Sequence, residues 1–202
     1  MTMSTELPAG FADKVLSAQS TFRAVMDAMA RPGSMQRVAA VAGTPKPMMH
    51  GTAALALTLF DHDTPIWLDP AMSATPDPAR WLKFHTSAPI VSDPAVSAFA
   101  LIADAASLPA LDCFSFGTPE YPDRSTTLIL QVDSLTDGPA LELLGPGIDG
   151  STTLRAVIRP SDLFERLSIN AALFPRGIDV VLVAGDAIAA IPRTTRLAGK
   201  GA

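Results

Sequence analysis

Ile178-Asp179-Val180-Val181-Leu182-Val183-Ala184-Gly185-Asp186-Ala187-Ile188-Ala189-Ala190-Ile191 is the stretch that decides the fold. Ile178 to Val183 is aliphatic and β-branched with a single charge near its start, which reads as a buried strand. Gly185-Asp186 is a turn, and Ala187 to Ile191 reads as a final strand ending at Pro192-Arg193-Thr194-Thr195. A hairpin brings antiparallel pairing into the sheet. Just upstream, Asp162 to Ala172 reads as a helix, so helix and buried strand alternate as they do where helices cover a sheet.

The alternation extends towards the start of the chain. Phe11, Val15, Ala18, Phe22, Met26 and Met29 recur at intervals of three and four and describe one face of a long helix, whose polar face carries Asp13, Gln19, Arg23 and Asp27. Arg31-Pro32-Gly33 ends it, because proline disfavours helical geometry in the residue before it and glycine permits the turn. Thr52 to Phe60, rich in Ala and Leu, predicts a buried helix, and Asp61-His62-Asp63-Thr64 a turn into the strand Pro65-Ile66-Trp67-Leu68. Ser92-Asp93-Pro94 predicts the cap of another helix with apolar residues reaching Ala103, and Phe114 to Phe116 a short strand. Thr126 to Val132 and Ala140 to Leu144, joined across Asp137-Gly138-Pro139, predict a second hairpin that Gly145-Pro146-Gly147 terminates. The expected fold class is α/β, a mixed β-sheet flanked by helices, in a single domain over 1–202 with 1–10 and 197–202 flexible.

Hydrophobic residues make up 48% of the 202 and charged residues 17%, against about 25% charged in an average soluble domain. Two readings stand: a larger core, or apolar surface that another chain covers, and the second is the expectation. A net charge of -5 argues against nucleic-acid binding, which needs a basic surface. A local cationic pocket stays open, since eleven of the fifteen basic residues are arginines. Met1 to Gly10 shows no basic run followed by an apolar stretch, and the longest apolar runs, such as Ala53 to Phe60, are too short to span a bilayer. The chain is therefore expected in the cytoplasm, with no membrane partner. The lone Cys113 has no internal disulfide partner, and Leu111, Phe114 and Phe116 around it predict a buried, unreactive thiol.

His50, His62 and His85 form no metal-ligand pattern with other soft ligands. Asp61-His62-Asp63 comes nearest, but adjacent residues do not converge on one ion, and a turn in which Asp61 or Asp63 bonds backbone amides is the plainer reading. His85 is either a ligand contact or a hydrogen-bonded packing residue. The chain has no Gly-x-Ser-x-Gly elbow, Walker loop or Gly-x-Gly-x-x-Gly fingerprint. Gly145-Pro146-Gly147 presents amides to an anion or is a plain turn, and its proline removes one donor. Arg31-Pro32-Gly33-Ser34 and Pro192-Arg193-Thr194-Thr195 each offer a guanidinium and hydroxyls to phosphate oxygens, or else form a salt bridge and a turn. No catalytic residue, cofactor or metal is expected, and Arg31, His85, Arg193, Thr194 and Thr195 are the candidates for an anion or partner contact.

Taken in order, seven segments carry a resemblance. They begin with Phe22-Arg23-x-x-Met26-x-Ala28-Met29-x-Arg31-Pro32-Gly33, Asp61-x-Asp63-Thr64-Pro65-x-Trp67-Leu68 and Phe84-His85-Thr86. Gly117-x-x-x-Tyr121-Pro122, Gly145-Pro146-Gly147-Ile148, Phe174-Pro175-x-Gly177-Ile178-Asp179 and Pro192-Arg193-Thr194-Thr195 complete them. Together they span nearly the whole chain, which resembles the H-subunit family of the bacterial carbon-phosphorus lyase core complex. Two positions depart from the family: Arg176, where members often have an apolar residue, and Ser87, where glycine is common.

The resemblance implies a fold similar to the large domain of pyridoxal-phosphate-dependent transferases without the cofactor, and a homodimer, or one copy per half of a two-fold assembly, with the G, I and J subunits as partners. With the nucleotide-binding L protein, that assembly joins a phosphonate to ribose C1 of a purine nucleoside triphosphate and displaces the base. The carbon-phosphorus bond is cut by the radical iron-sulfur J subunit, and no catalytic residue is assigned to H. Of Lys14, Lys46, Lys83 and Lys200, only Lys83 is conceivable as a Schiff-base residue, and no motif supports it. The expectation is an accessory subunit. The alternatives are a nucleotide- or phosphonate-binding component that contributes Arg31 or Arg193 to a shared site, and a pyridoxal-phosphate enzyme.

Overall fold

Aliphatic runs become strands buried on both faces, and the intervening segments wrap those faces. The computed structural model describes residues 7–158 and 162–198. In chain order it contains α1 (Lys14–Ala30), β1 (Gln36–Arg37), α2 (His50–Leu59), β2 (Ile66–Leu68), α3 (Pro70–Ser73), α4 (Pro76–Thr86) and β3 (Ile90–Val91). Then come β4 (Phe99–Ile102), β5 (Thr127–Gln131), β6 (Ala140–Leu144), β7 (Thr152–Arg155), α5 (Leu163–Ala171), β8 (Asp179–Ala184), β9 (Ala187–Ile191) and β10 (Arg196–Leu197).

The main sheet has seven strands in the order β1-β9-β8-β5-β4-β2-β3. Neighbours from β8 to β3 pair parallel, whereas β9 runs antiparallel to both β8 and β1. This is the mixed, helix-flanked α/β sheet expected, and the β8–β9 hairpin supplies its antiparallel part. Strand periodicity divides the core in two. Ile129, Val181 and Val183 join Val25, Ala28, Ala53 and Trp81 under the helices of one face. Leu128, Leu130, Val180 and Leu182 meet Leu163 and Leu167 of α5 and Leu143 and Leu154 of a second, antiparallel sheet, β10-β6-β7, on the other.

Two predicted elements are corrected. Thr126 to Val132 and Ala140 to Leu144 do not form a hairpin: β5 lies between β4 and β8 in the main sheet, and β6 pairs with β7 and β10. A strand buried on both faces is satisfied by parallel neighbours that are remote in sequence, and the half-exposed β6 is left for the small sheet. Ser92 to Ala103 is not a helix either. Asp93 does cap, accepting from Ala95 N at 2.9 Å, but the cap serves only a 3-10 turn, Pro94–Val96. Phe99–Ile102 then continues as a central strand, because pairing on both sides outweighs local propensity.

Smaller differences follow the same logic. Phe116 makes a single bridge to Ser125 and no strand. Cys113 is exposed, because the turn Leu111–Cys113 directs Leu111 and Phe114 inward and leaves the thiol outside. In the ends expected to be flexible, Pro8 O accepts from Trp81 Nε1 at 2.8 Å, Gly10 O accepts from Ala42 N, and Leu197 is paired with Leu143. Residues 1–6 and 199–202 lie outside the described part.

The C-terminal ends of parallel strands are where open α/β sheets place ligands. Here polar side chains tie the fold together at those ends. The fully buried Asp69 carboxylate accepts from Met72 N, Ala103 N, Asp104 N and Ser107 Oγ at 2.7–3.1 Å. Gln131 accepts from Met49 N and Thr52 Oγ1 and donates to Pro47 O, capping α2 where Met49 has no polar side chain to do so.

Ser87 closes α4 in the left-handed region, with φ 61°, and is the one described non-glycine residue there. An L side chain in this conformation costs about 1 kcal/mol. Ser87→Gly is expected to raise stability by about 0.5–1 kcal/mol, read as an upward shift of the urea midpoint; an unchanged or lower midpoint would contradict the strain argument.

Candidate functional site

One loop gathers three of the segments that the sequence singles out. Gly145, at φ +138°, lies so close to the turn after β9 that a Cβ would stand 2.9 Å from Thr194 O. Gly147, at φ +82°, packs on the end of α1, where a Cβ would overlap Ala30 O at 2.0 Å. Only glycine serves at both positions. The Arg31 turn and the Thr194-Thr195 turn thus flank Gly145-Pro146-Gly147. His85 has other neighbours: it packs on Trp81 with ring centroids 4.5 Å apart, and its Nε2 lies 3.1 Å from Pro8 O. That is the packing reading of this histidine.

The two candidate arginines are already paired. Arg193 forms an ion pair with Asp179 in which both side chains are 13% exposed. Its Nε also donates to Asp179 Oδ1 at 3.1 Å, NH1 to Pro122 O and NH2 to Ser125 Oγ, both at 2.6 Å, and its backbone N to Asp179 Oδ1 at 2.8 Å. These bonds join β8, the turn Pro122–Arg124 and the turn after β9, leaving the guanidinium fork engaged inside the protein. Arg31 pairs with Asp27 one helical turn back on the exposed side of α1. Such an exposed pair contributes about 0.3–0.5 kcal/mol.

The residues beside Arg193 differ from it. Thr194 and Arg196 line a cleft of about 370 Å³ with Leu144, Gly145, Pro146, Ala171 and Phe174. Thr195 is buried, and its hydroxyl has no hydrogen-bond partner. Neither Arg196 nor Phe174 is among the candidates from sequence. Arg196 stands outside every quoted segment and Phe174 opens one only as an apolar residue, so neither signals a site until β10 and the end of α5 are placed side by side.

The second notable surface is α1. The side facing α2 and β9 is made of Thr21, Ala24, Val25 and Ala28, small enough to let the helix lie close, and Thr21 Oγ1 accepts from Ala39 N at 3.2 Å. Phe11, ahead of the helix, is buried, but three large apolar residues predicted to share its face turn outward: Val15 is 65% exposed, Phe22 50% and Met26 54%. With 3.6 residues per turn these three fall on one line. Leu16 stands exposed beside them, while Ala18 and Met29 reach the core edge. Monomers rarely expose a continuous apolar stripe of this length.

At the Asp61-His62-Asp63 turn, Asp61 accepts from Thr64 Oγ1 at 2.7 Å and Asp63 N at 3.0 Å. These bonds, the Thr64 hydroxyl's foremost, hold the Asp61 carboxyl below the usual carboxylate range. Among the described residues no cluster of three His, Cys, Asp or Glu side chains is placed to hold a metal ion, and no helix is long and apolar enough to cross a membrane.

Comparison with known proteins covers both surfaces. The family model described as "Bacterial phosphonate metabolism protein (PhnH)" matches residues 9–198. The chain is 43% identical over 198 residues, 98% of each protein, to the alpha-D-ribose 1-methylphosphonate 5-triphosphate synthase subunit PhnH of Rhizobium meliloti (strain 1021). It is also 39% identical over 87 residues, 43% of this chain and 44% of the other, to the putative C-P lyase subunit protein HtxG of Stutzerimonas stutzeri. The chain belongs to the PhnH family of bacterial phosphonate metabolism proteins.

Proposed function

We propose that this chain is a non-catalytic, accessory subunit of the carbon-phosphorus lyase core complex, which couples a phosphonate to ribose C1 of a purine nucleoside triphosphate during phosphonate catabolism. It works in the cytoplasm, pairs with itself as a homodimer and assembles with the G, I and J subunits. The outward apolar stripe of α1 carries this reading. Its residues gain free energy only when another chain removes them from water, and a relative matched over 98% of its length is named as a synthase subunit. The likeness to pyridoxal-phosphate transferases belongs to the same proposal: Lys83 stands exposed on α4, outside the desolvated setting that activates a Schiff-base lysine.

Co-expression with the G, I and J subunits and pulldown on the tagged chain tests the proposal. All three are expected in the eluate, and the purified chain alone is expected to be inert towards a nucleoside triphosphate and a phosphonate. Recovery of the tagged chain without them, or turnover by the chain alone, overturns it. Grip on a triphosphate by Arg31 or Arg193 has no geometric support, since each is ion-paired and neither lines the cleft beside them.

A further inference from the structure

We propose that the cleft between the Gly145-Pro146 turn, the segment after α5 and β10 binds a small aromatic oxyanion, its charged head on Arg196 and Thr194 and its ring on Phe174. Binding here belongs to this chain alone and does not depend on the assembly proposed above.

Strand register builds the charged wall. Arg196 pairs with Leu144, and Leu197 with Leu143. Cross-strand partners share a face, so Leu143 and Leu197 turn to the core while Arg196 and Leu144 line the cleft. Strand pairing fixes the Arg196 backbone, and its side-chain donors are unused: among the described residues the side chains of Arg196 and Thr194 make no hydrogen bond or ion pair. Arg31, Arg37, Arg166 and Arg193 are each paired with a carboxylate. Among the described residues no carboxylate lines the cleft or the hollow of about 580 Å³ that continues it past Ala171, Phe174 and Arg196.

Thr195, between these two residues, is turned away from the cleft into the protein. It is 3% exposed, and its hydroxyl is the buried side-chain polar atom that finds no partner among the described residues. Buried polar atoms are almost always partnered, and leaving one unmade costs about 1–3 kcal/mol. Thr195 lines neither the cleft nor its continuation, so the donors that face a ligand there are those of Arg196 and Thr194.

The remaining walls choose the body of that ligand. Leu144, Pro146 and Ala171 are apolar, and Phe174 is 63% exposed at the cleft. An exposed ring beside a guanidinium suits a flat apolar group attached to an oxyanion, and the volume lies in the range of small-molecule sites, about 300–1,000 Å³. Phosphonates, phosphates and carboxylates share the head-group chemistry.

Titration of the full-length chain by NMR and calorimetry, with phenylphosphonate as the probe, tests the site. Benzoate, inorganic phosphate and benzyl alcohol separate head from ring. Saturable binding of phenylphosphonate is expected, tighter than that of phosphate or benzyl alcohol. Arg196→Gln should weaken it at least about tenfold, the effect of losing a charge-assisted hydrogen bond, and Phe174→Ala about fivefold, as for a lost stacking contact. Both side chains are exposed, so unchanged urea midpoints show that the variants fold, and Arg31→Gln should bind as the parent does. Benzoate binding as tightly as phenylphosphonate assigns the cleft to oxyanions in general, and weaker binding narrows it to tetrahedral heads. No saturable binding of phenylphosphonate, no loss in Arg196→Gln, or phosphate binding equally well overturns the proposal.

Discussion

Arg193→Ala is expected to lower the unfolding free energy by about 3–5 kcal/mol, the cost of stranding a largely buried charge. The substitution leaves the Asp179 carboxylate facing no cation, and removes the donors that reach Pro122 O and Ser125 Oγ. Three chain segments are cross-linked through this one side chain, so the loss falls on tertiary packing and not on a local turn. Arg193→Lys should recover only part of the loss, because an ammonium cannot reproduce the fork that contacts a carboxylate, a carbonyl and a hydroxyl together. Adding Asp179→Ala to Arg193→Ala should also restore some stability by deleting the unpaired charge. Urea unfolding followed by circular dichroism measures all four proteins. A loss below about 1 kcal/mol for Arg193→Ala would show that the network is not structural, and would free this arginine for a ligand again.

Phe22→Glu combined with Met26→Glu is expected to abolish assembly while the fold survives. Both side chains point to solvent in the isolated chain, and exposed substitutions of this kind stay within about 0.5 kcal/mol. Placed in a dry apolar contact, each carboxylate costs on the order of 2 kcal/mol, so association weakens by about a thousandfold for the pair. Light scattering should report a monomer in place of the dimer proposed for the parent chain, and the pulldown should lose one or more of the proposed G, I and J partners. A variant that still dimerises and still captures all three would remove α1 from the assembly face. A variant with a lowered urea midpoint would mean that the stripe packs within its own chain.

The extent of α1 is legible in the sequence, because a spacing of three and four marks a helix and Arg31-Pro32-Gly33 ends it. The direction of its stripe is not. Periodicity shows that Val15, Phe22 and Met26 share a face, but the second stripe, Thr21, Ala24 and Ala28, is made of small residues that carry little apolar signal and allow close approach to α2 and β9. The low charge content anticipates a covered surface without saying where it lies. In the same way Thr126 to Val132 is plainly a strand, while its partners β4 and β8 lie far away in sequence, and the nearer Ala140 to Leu144 is the tempting mate.

Composition, periodicity and the seven ordered segments by themselves determined an α/β chain with a mixed sheet and a family. Tertiary structure alone decided that Arg193 is spent on Asp179, that Arg196 is left unpaired among the described residues at a cleft, and that the grease of α1 faces outward. The reason is physical. Local propensity and hydrophobic pattern are encoded within a few residues, whereas burial, ion pairing and exposure depend on which distant segments the fold brings into contact.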